Sequence, residues 1–244
     1  MLIAGNWKLN CNILEACNLS TLISNHLSNK NLNCDVAIFP SYVCLDSVHK
    51  VIESTNINLG SQDCSTYNSG AYTGDVSASM LCNVGCKYVI VGHSERRIGK
   101  LENNQDILLK AKNVLDNEMI PIICVGEDAE EREQGKALEV IKRQLDESVP
   151  QNITQNNCII AYEPIWAIGS GNIPTIESIN EMLNMIKEWL SMNNRDINID
   201  ILYGGSVNKA NALEIFSCNN LGGLLIGGVS LKADEFAEIC LMVN

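Results

Sequence analysis

Short apolar runs recur along the chain, separated by longer stretches in which apolar residues return every third or fourth position. The runs fall at residues 2–7 (LIAGNW), 35–40 (DVAIFP), 57–63 (INLGSQD), 88–93 (YVIVGH), 119–126 (MIPIICVG), 158–164 (CIIAYEP), 200–205 (DILYGG) and 222–228 (GGLLIGG). Each is rich in Ile, Val and Leu, the pattern of a parallel strand covered on both faces. The stretches between them, such as 13–27 (ILEACNLSTLISNHL) and 130–149 (EEREQGKALEVIKRQLDESV), carry the spacing of amphipathic helices. Pro174 followed by Thr175-Ile176-Glu177-Ser178 marks the start of a further helix running to Leu190. Eight such strand–helix units match the size of a single (β/α)8 barrel of eight parallel strands surrounded by helices. An open doubly wound sheet has the same alternation and stays the alternative, weakened because no GxGxxG opens a helix after the first strand. No linker or composition break divides the chain, so one domain over residues 1–244 is expected.

Composition narrows the function classes. Hydrophobic residues make up 46% and charged residues 19%, as in a soluble globular protein, and no run reaches the roughly 18–20 apolar residues of a membrane span. The net charge of −12 and the lack of any basic run argue against nucleic acid and anionic membrane surfaces as partners. The start of the chain has no basic flank followed by a long apolar run, so no signal peptide is expected. The eleven cysteines are odd in number, irregularly spaced and often set inside apolar runs, which fits reduced thiols in the cytoplasm rather than a disulfide framework. Cys82 and Cys86 lack a nearby His or second cysteine pair, so no metal is expected there. The Asn-x-Ser/Thr sequons at Asn18 and Asn152 carry no weight in a cytoplasmic chain.

Active sites of such barrels sit at the C-terminal ends of the strands, and the unusual polar residues of this chain collect there. The first strand ends in Asn6 and Lys8, the fourth in His93, the sixth in Glu163, and the last two in the pairs Gly204-Gly205 and Gly227-Gly228. Taken singly, each has an ordinary explanation: a solvated lysine, a structural histidine, a strand-end acid facing water. Together they describe a proton-transfer site. A neutral imidazole can polarise a carbonyl, a carboxylate can remove a proton from the adjacent carbon, a lysine balances anionic charge, and glycine amides hold a phosphate. Glu163 is also followed by a segment without charge, IWAIGSGN at 165–172, as a closing lid would require.

The strings AGNWKLN, VGHSERR, AYEPIWAIGSGN, ILYGGSV and GGLLIGGVSL stand in the order and spacing of triosephosphate isomerases, and the chain resembles that family from residue 2 to about 240. The resemblance implies interconversion of dihydroxyacetone phosphate and D-glyceraldehyde 3-phosphate, a phosphorylated three-carbon substrate, without cofactor or metal. It implies Glu163 as the base and His93 as the electrophile, kept neutral because the N-terminal amides of a helix starting at Ser94 oppose a positive ring. It implies Asn6 and Lys8 as holders of the substrate oxygens, Glu95 as a buried acid beside Lys8, and Gly169, Ser206, Gly227 and Gly228 as phosphate-binding positions. Residues 164–166 and 172–174 would be the hinges of the lid, which excludes water and keeps the enediolate phosphate from being eliminated.

Several positions depart from the family pattern: Ser170 for Thr, Asn172 for Lys, Pro174 in a hinge, Val229 for Ala and Asp75 for Glu. Pro174 restricts its own φ and biases Ile173, so lid kinetics are expected to differ from the family norm. The loop at 64–75 is longer than a tight connection needs and resembles the family's interdigitating loop, implying a homodimer with Thr73 reaching the partner near Asn6 and Lys8. The shorter Asp75 would weaken a cross-subunit pairing with Arg96. Cys11, just past Lys8, reads either as a packed thiol or as a site whose oxidation or alkylation breaks the dimer. Two other readings compete. A Schiff-base aldolase would use Lys8 and leave Glu163 and His93 without purpose. A non-catalytic binding protein predicts loss of at least one of Asn6, Lys8, His93 and Glu163, and all four are present.

Overall fold

The computed structural model describes residues 1–168, 173–193 and 195–243. Its strands are β1 (Leu2–Asn6), β2 (Asp35–Phe39), β3 (Ile57–Ser61), β4 (Tyr88–Val91), β5 (Ile120–Val125), β6 (Ile159–Tyr162), β7 (Ile201–Tyr203) and β8 (Gly223–Ile226), each inside one of the apolar runs. All pair in parallel with their sequence neighbours, and β8 returns to β1 in the register Leu2↔Gly223 to Gly5↔Ile226. That last pairing closes the sheet into a (β/α)8 barrel and removes the open-sheet alternative.

Alternation along the strands sorts the core into two layers. Leu2, Ala4, Ala37, Phe39, Ile90, Ile122 and Cys124 point into the barrel, while Ile3, Val36, Ile38, Val89, Val91, Ile123 and Val125 pack outward against the helices. Phe39 occupies interior space that β3 leaves free: a Cβ on Gly60 would lie 2.2 Å from its ring. The barrel is therefore a filled core, and reacting groups can sit only at its rim.

The helical stretches form as α1 (Ile13–Leu27), α2 (Leu45–Ile52), α3 (Ala78–Val84), α4 (Ser94–Gly99), α5 (Asn104–Asp116), α6 (Ala129–Glu133), α7 (Ala137–Ser148), α8 (Ile176–Met192), α9 (Ala212–Phe216) and α10 (Ala233–Leu241). Asn12 and Glu15 form a capping box at the start of α1, and Thr175 caps α8 by accepting from the Ser178 amide. The helical spacing at 130–149 is not one helix. Gly135 takes φ +71 and separates α6 from α7, a left-handed turn of the kind that commonly ends helices. Between β3 and α3, the 64–75 loop is closed on itself: Ser65 Oγ donates to Asp75 Oδ2 at 2.5 Å, and the rings of Tyr67 and Tyr72 stack with centroids 3.5 Å apart.

Candidate active site

The C-terminal rim of the barrel encloses a cavity of about 350 Å³ that brings together Asn6, Lys8, His93, Glu163, Ser206, Gly227 and Gly228. Glu95 lies in an adjoining cavity of about 390 Å³, which shares Asn6, Lys8 and His93 with the first. Gly169, with Ser170 and Asn172, lies outside the described residues. Val229 and Lys232 line the first cavity on the side of the glycine pair.

Local chemistry aims each side chain. Lys8 follows β1 in the left-handed region at φ 52, a conformation that costs a non-glycine residue roughly 1 kcal/mol. Hydrogen bonds hold it there: its amide donates to Asn6 Oδ1 at 3.0 Å, and Gln62 Nε2 donates to its carbonyl at 2.8 Å. The side chain passes Gly227, where a Cβ would come within 3.2 Å of Lys8 Cε, and Nζ donates to Glu95 Oε1 at 2.7 Å. Glu95 itself is not buried: its side chain is 56% exposed, because nothing in the described chain covers that side of the rim.

His93 is the N-cap of α4, and its Nδ1 accepts from the Glu95 amide at 3.2 Å. Nδ1 is then an acceptor, which leaves the ring proton of a neutral imidazole on Nε2. Nε2 lies 3.1 Å from Glu163 Oε1, and the other carboxylate oxygen accepts from the Ser94 amide at 3.1 Å. Glu163 is only 2% exposed. Two glycines make its seat: a Cβ on Gly126 would meet the Glu163 carbonyl oxygen at 1.8 Å, and one on Gly204 would meet Glu163 Cγ at 2.9 Å. Beneath it, burial and the nearby carboxylate push the Cys124 thiol well above its ordinary range, so Cys124 stays protonated. Ser206 Oγ donates to the Ala167 carbonyl, tying the strand-7 rim to the segment that follows Glu163. Opposite, Gly228 opens a 3₁₀ turn to Leu231 whose first amides have no partner within the turn.

A second buried acid escapes sequence reading. Glu127, at the end of β5 and fully buried, accepts on Oε1 from Arg132 Nη1 at 2.9 Å, Trp166 Nε1 at 2.9 Å and the Tyr162 hydroxyl at 3.2 Å. Its carbonyl receives the Ile165 amide at 3.0 Å, and the Arg132 guanidinium stands 5.2 Å over the Trp166 ring while also donating to Ser178 Oγ. Glu127 therefore fixes the segment that leaves Glu163. A strand-end GED after β5, parallel to the YEP after β6, was the available signal.

Arg96 is bonded within its own chain, to Asp63 Oδ2 at 2.7 Å and Glu102 Oε1 at 2.6 Å, and Lys110 joins the same two acids at 2.7 Å each. Burial nonetheless pushes Asp63 up to about 6. Cys11 is half-buried, and burial, then Glu15, raises its thiol above the usual range. That is the opposite of an activated cysteine. Among the described residues, no cluster of three or more His, Cys, Asp or Glu side chains is disposed to hold a metal ion.

A model of the triosephosphate isomerase family matches residues 1–243. The chain belongs to the triosephosphate isomerase family. Proteins named triosephosphate isomerase from Chlorobium phaeobacteroides and Porphyromonas gingivalis are each 41% identical to it, over 98% of this chain and 96% and 97% of their own lengths. The crystal structure of triosephosphate isomerase from Bartonella henselae superposes with a TM-score of 0.91 at 37% identity, covering 99% of this chain and 98% of that one. Family membership and the closed barrel agree on the architecture, and the rim residues stand where that architecture puts reacting groups.

Proposed function

We propose that residues 1–244 act as one barrel domain that interconverts dihydroxyacetone phosphate and D-glyceraldehyde 3-phosphate. The observation that carries the mechanism is the contact between Glu163 and His93, 3.1 Å apart in a cavity that faces Lys8 and the Gly227-Gly228 turn. Glu163 takes a proton from the carbon beside the carbonyl, and the bonding pair forms the enediolate double bond. The carbonyl oxygen gains charge and is stabilised by the Nε2 proton of His93 and by the Lys8 ammonium. His93 gives its Nε2 proton to the former carbonyl oxygen and takes the hydroxyl proton from the neighbouring oxygen, whose carbon becomes the new carbonyl, while Glu163 returns its proton to the adjacent carbon. Substrate entry replaces the present bonds of the carboxylate to Ser94 and His93. Asn6 orients the substrate oxygens, Glu95 holds Lys8, and amides at Gly169, Ser206, Gly227 and Gly228 receive the phosphate. The proton shuttle consumes no electrons, so the reading includes neither cofactor nor metal.

The functional unit in this reading is a homodimer. Leu9, which lines the cavity beside Glu95, is 97% exposed, and the chain neighbours of two further lining residues, Val43 after Tyr42 and Leu101 after Lys100, are exposed as well. The 64–75 loop of a second copy, stiffened by its stacked tyrosines, would cover these apolar groups and bury Glu95. The eleven free thiols fit a cytoplasmic protein, and no helix among the described residues is long and apolar enough to cross a membrane.

The test is isomerisation of D-glyceraldehyde 3-phosphate in a coupled assay, with light scattering on the same sample. The wild type should turn over rapidly as a dimer. Glu163→Asp, which keeps the charge but withdraws it by one methylene, should be slower by about 10² or more. An inactive wild type would refute the proposal, and a fully active monomer would refute its dimer.

A further inference from the structure

Where β4 and β5 stop pairing at the rim, a side chain continues the connection. Their ladder ends at Val91↔Ile123, so the next positions, Gly92 and Cys124, lie beyond it. The Arg97 guanidinium spans them: Nε donates to the Gly92 carbonyl and Nη2 to the Cys124 carbonyl, each at 2.9 Å. Its remaining edge, Nη1, donates to Asn104 Oδ1 at 2.6 Å, at the start of α5. Asn104 is fixed in turn from α7, accepting from Ser148 Oγ at 3.1 Å and donating to Glu147 Oε2 at 2.7 Å. All three acceptors of Arg97 are neutral, so the site uses the rigid planar fork of the guanidinium rather than an ion pair.

The two carbonyls belong to the strands that lead to the reacting pair. Gly92 directly precedes His93, and its φ of +71 makes the turn that leaves β4; a Cβ there would lie 2.7 Å from Ile107 Cδ1. Cys124 directly precedes Val125, whose carbonyl accepts the Glu163 amide at 2.8 Å. The path from His93 to Glu163 therefore runs through Gly92, the Arg97 fork, Cys124 and Val125. The Arg97 amide also donates to the His93 carbonyl at 3.1 Å, which anchors the base of the fork.

In the substrate-free site two direct contacts share the task of spacing the pair. His93 Nε2 meets Glu163 Oε1, and the Ser94 amide meets Glu163 Oε2, each at 3.1 Å. Substrate takes their place, and the rim loses both. Arg97 is not among the residues lining either rim cavity, so its bonds are untouched when the cavity fills.

We propose that Arg97 is a positioning residue for the proton transfer: its guanidinium bridges the rim ends of β4 and β5 and fixes the spacing of His93 and Glu163 while substrate lies between them. This role rests on the isomerase reading above and adds to it a residue that touches no substrate. Base and electrophile must stay within hydrogen-bond reach of the same small molecule, and a misplacement of about 1 Å costs on the order of 10² in rate. Lysine keeps the charge but presents no planar set of donors, so it is a poor replacement for the fork.

The experiment compares Arg97→Lys, Arg97→Met and Asn104→Ala with wild type in steady-state isomerisation, with inorganic phosphate as the competitive probe of the phosphate-binding side. Arg97→Lys should lose about 10-fold in kcat and Arg97→Met about 100-fold, while KM and the phosphate inhibition constant stay within about twofold. Asn104→Ala frees one edge of the fork at a half-buried helix start, keeps both carbonyl bonds, and should lose about threefold in kcat. That variant keeps the test open if the Arg97 variants fold poorly. The ring ¹⁵N signals of His93 report the spacing without substrate and should shift in all three variants. Wild-type kcat in a folded Arg97→Lys, a rise in KM and the phosphate constant in step with the loss of kcat, or unmoved His93 signals would each overturn the inference and leave the isomerase reading standing. An inactive wild type would overturn that reading instead, and the His93 signals would still decide whether Arg97 sets the spacing.

Discussion

Gly204→Ala tests whether the seat of Glu163 matters to catalysis. The new Cβ would lie 2.9 Å from Glu163 Cγ and 3.4 Å from the Tyr162 carbonyl oxygen. The second contact is tolerable, and the first falls about 0.6 Å short of the closest favourable carbon–carbon separation, near 3.5 Å. The side chain must therefore retreat by about that much, turning its carboxylate away from Ser94 and the cavity. Displacement of a reacting group by about 1 Å costs on the order of 10² in rate, so a loss of about 10- to 100-fold in kcat is expected, or about 1.4–2.7 kcal/mol of barrier. KM should change little, because the phosphate-binding side of the cavity is untouched. The assay is steady-state isomerisation in both directions, with circular dichroism to show that the barrel persists. A double-mutant cycle with Glu163→Asp adds a sharper condition. The shorter acid is already withdrawn, so the two losses should multiply to clearly less than their product. A single variant with kcat within threefold of wild type, or strictly multiplicative losses, would refute the idea that Gly204 positions the base.

Two further outcomes follow from the buried networks. Trp166→Phe deletes the indole N–H that bonds Glu127 at 2.9 Å, and should lower stability by about 1–3 kcal/mol in urea unfolding. A drop in kcat should accompany it, since the segment leaving Glu163 loses an anchor; unchanged stability and turnover would sink this role. Asp63, pushed up to about 6 by burial, binds its proton more tightly folded than unfolded. Its contribution is therefore full below about pH 4 and is lost as pH rises towards 6, by up to about 3 kcal/mol. Melting profiles from pH 4 to 7 should show that decline in wild type and lack it in Asp63→Asn; identical slopes would contradict it.

The strands were legible because a buried parallel strand must be apolar on both faces, and the eight runs contain all eight observed strands. Closure was expected from the count of eight units and from the family resemblance and not from the apolar pattern itself, since the Leu2↔Gly223 register joins opposite ends of the chain and leaves no periodic trace. The break at Gly135 was missed because apolar spacing continues across it, while the φ of one glycine does not show in a pattern of side chains. Lys8, His93 and Glu163 could be read from motifs because each ends a strand. Glu127 also follows a strand, in GED after β5, so its position was visible, but its role was not, because that lies in Trp166 and Tyr162, 39 and 35 residues away. Glu95 was expected buried; its exposure in the single chain shows that burial there is not a property of this sequence folded alone.

The six-residue helix α4 has an unusual concentration of duties. Its first turn supplies the amide that holds Glu163, the amide that sets the His93 tautomer, and the acid that holds Lys8. A helix this short has almost no stability of its own. It persists because Arg97 is clamped to the carbonyls of Gly92 and Cys124, and Arg96 to Asp63 and Glu102. The lifetime of the assembled site is thus the lifetime of one borrowed turn of backbone. Hydrogen exchange at the Ser94 and Glu95 amides would read that lifetime directly, residue by residue, without any substrate present.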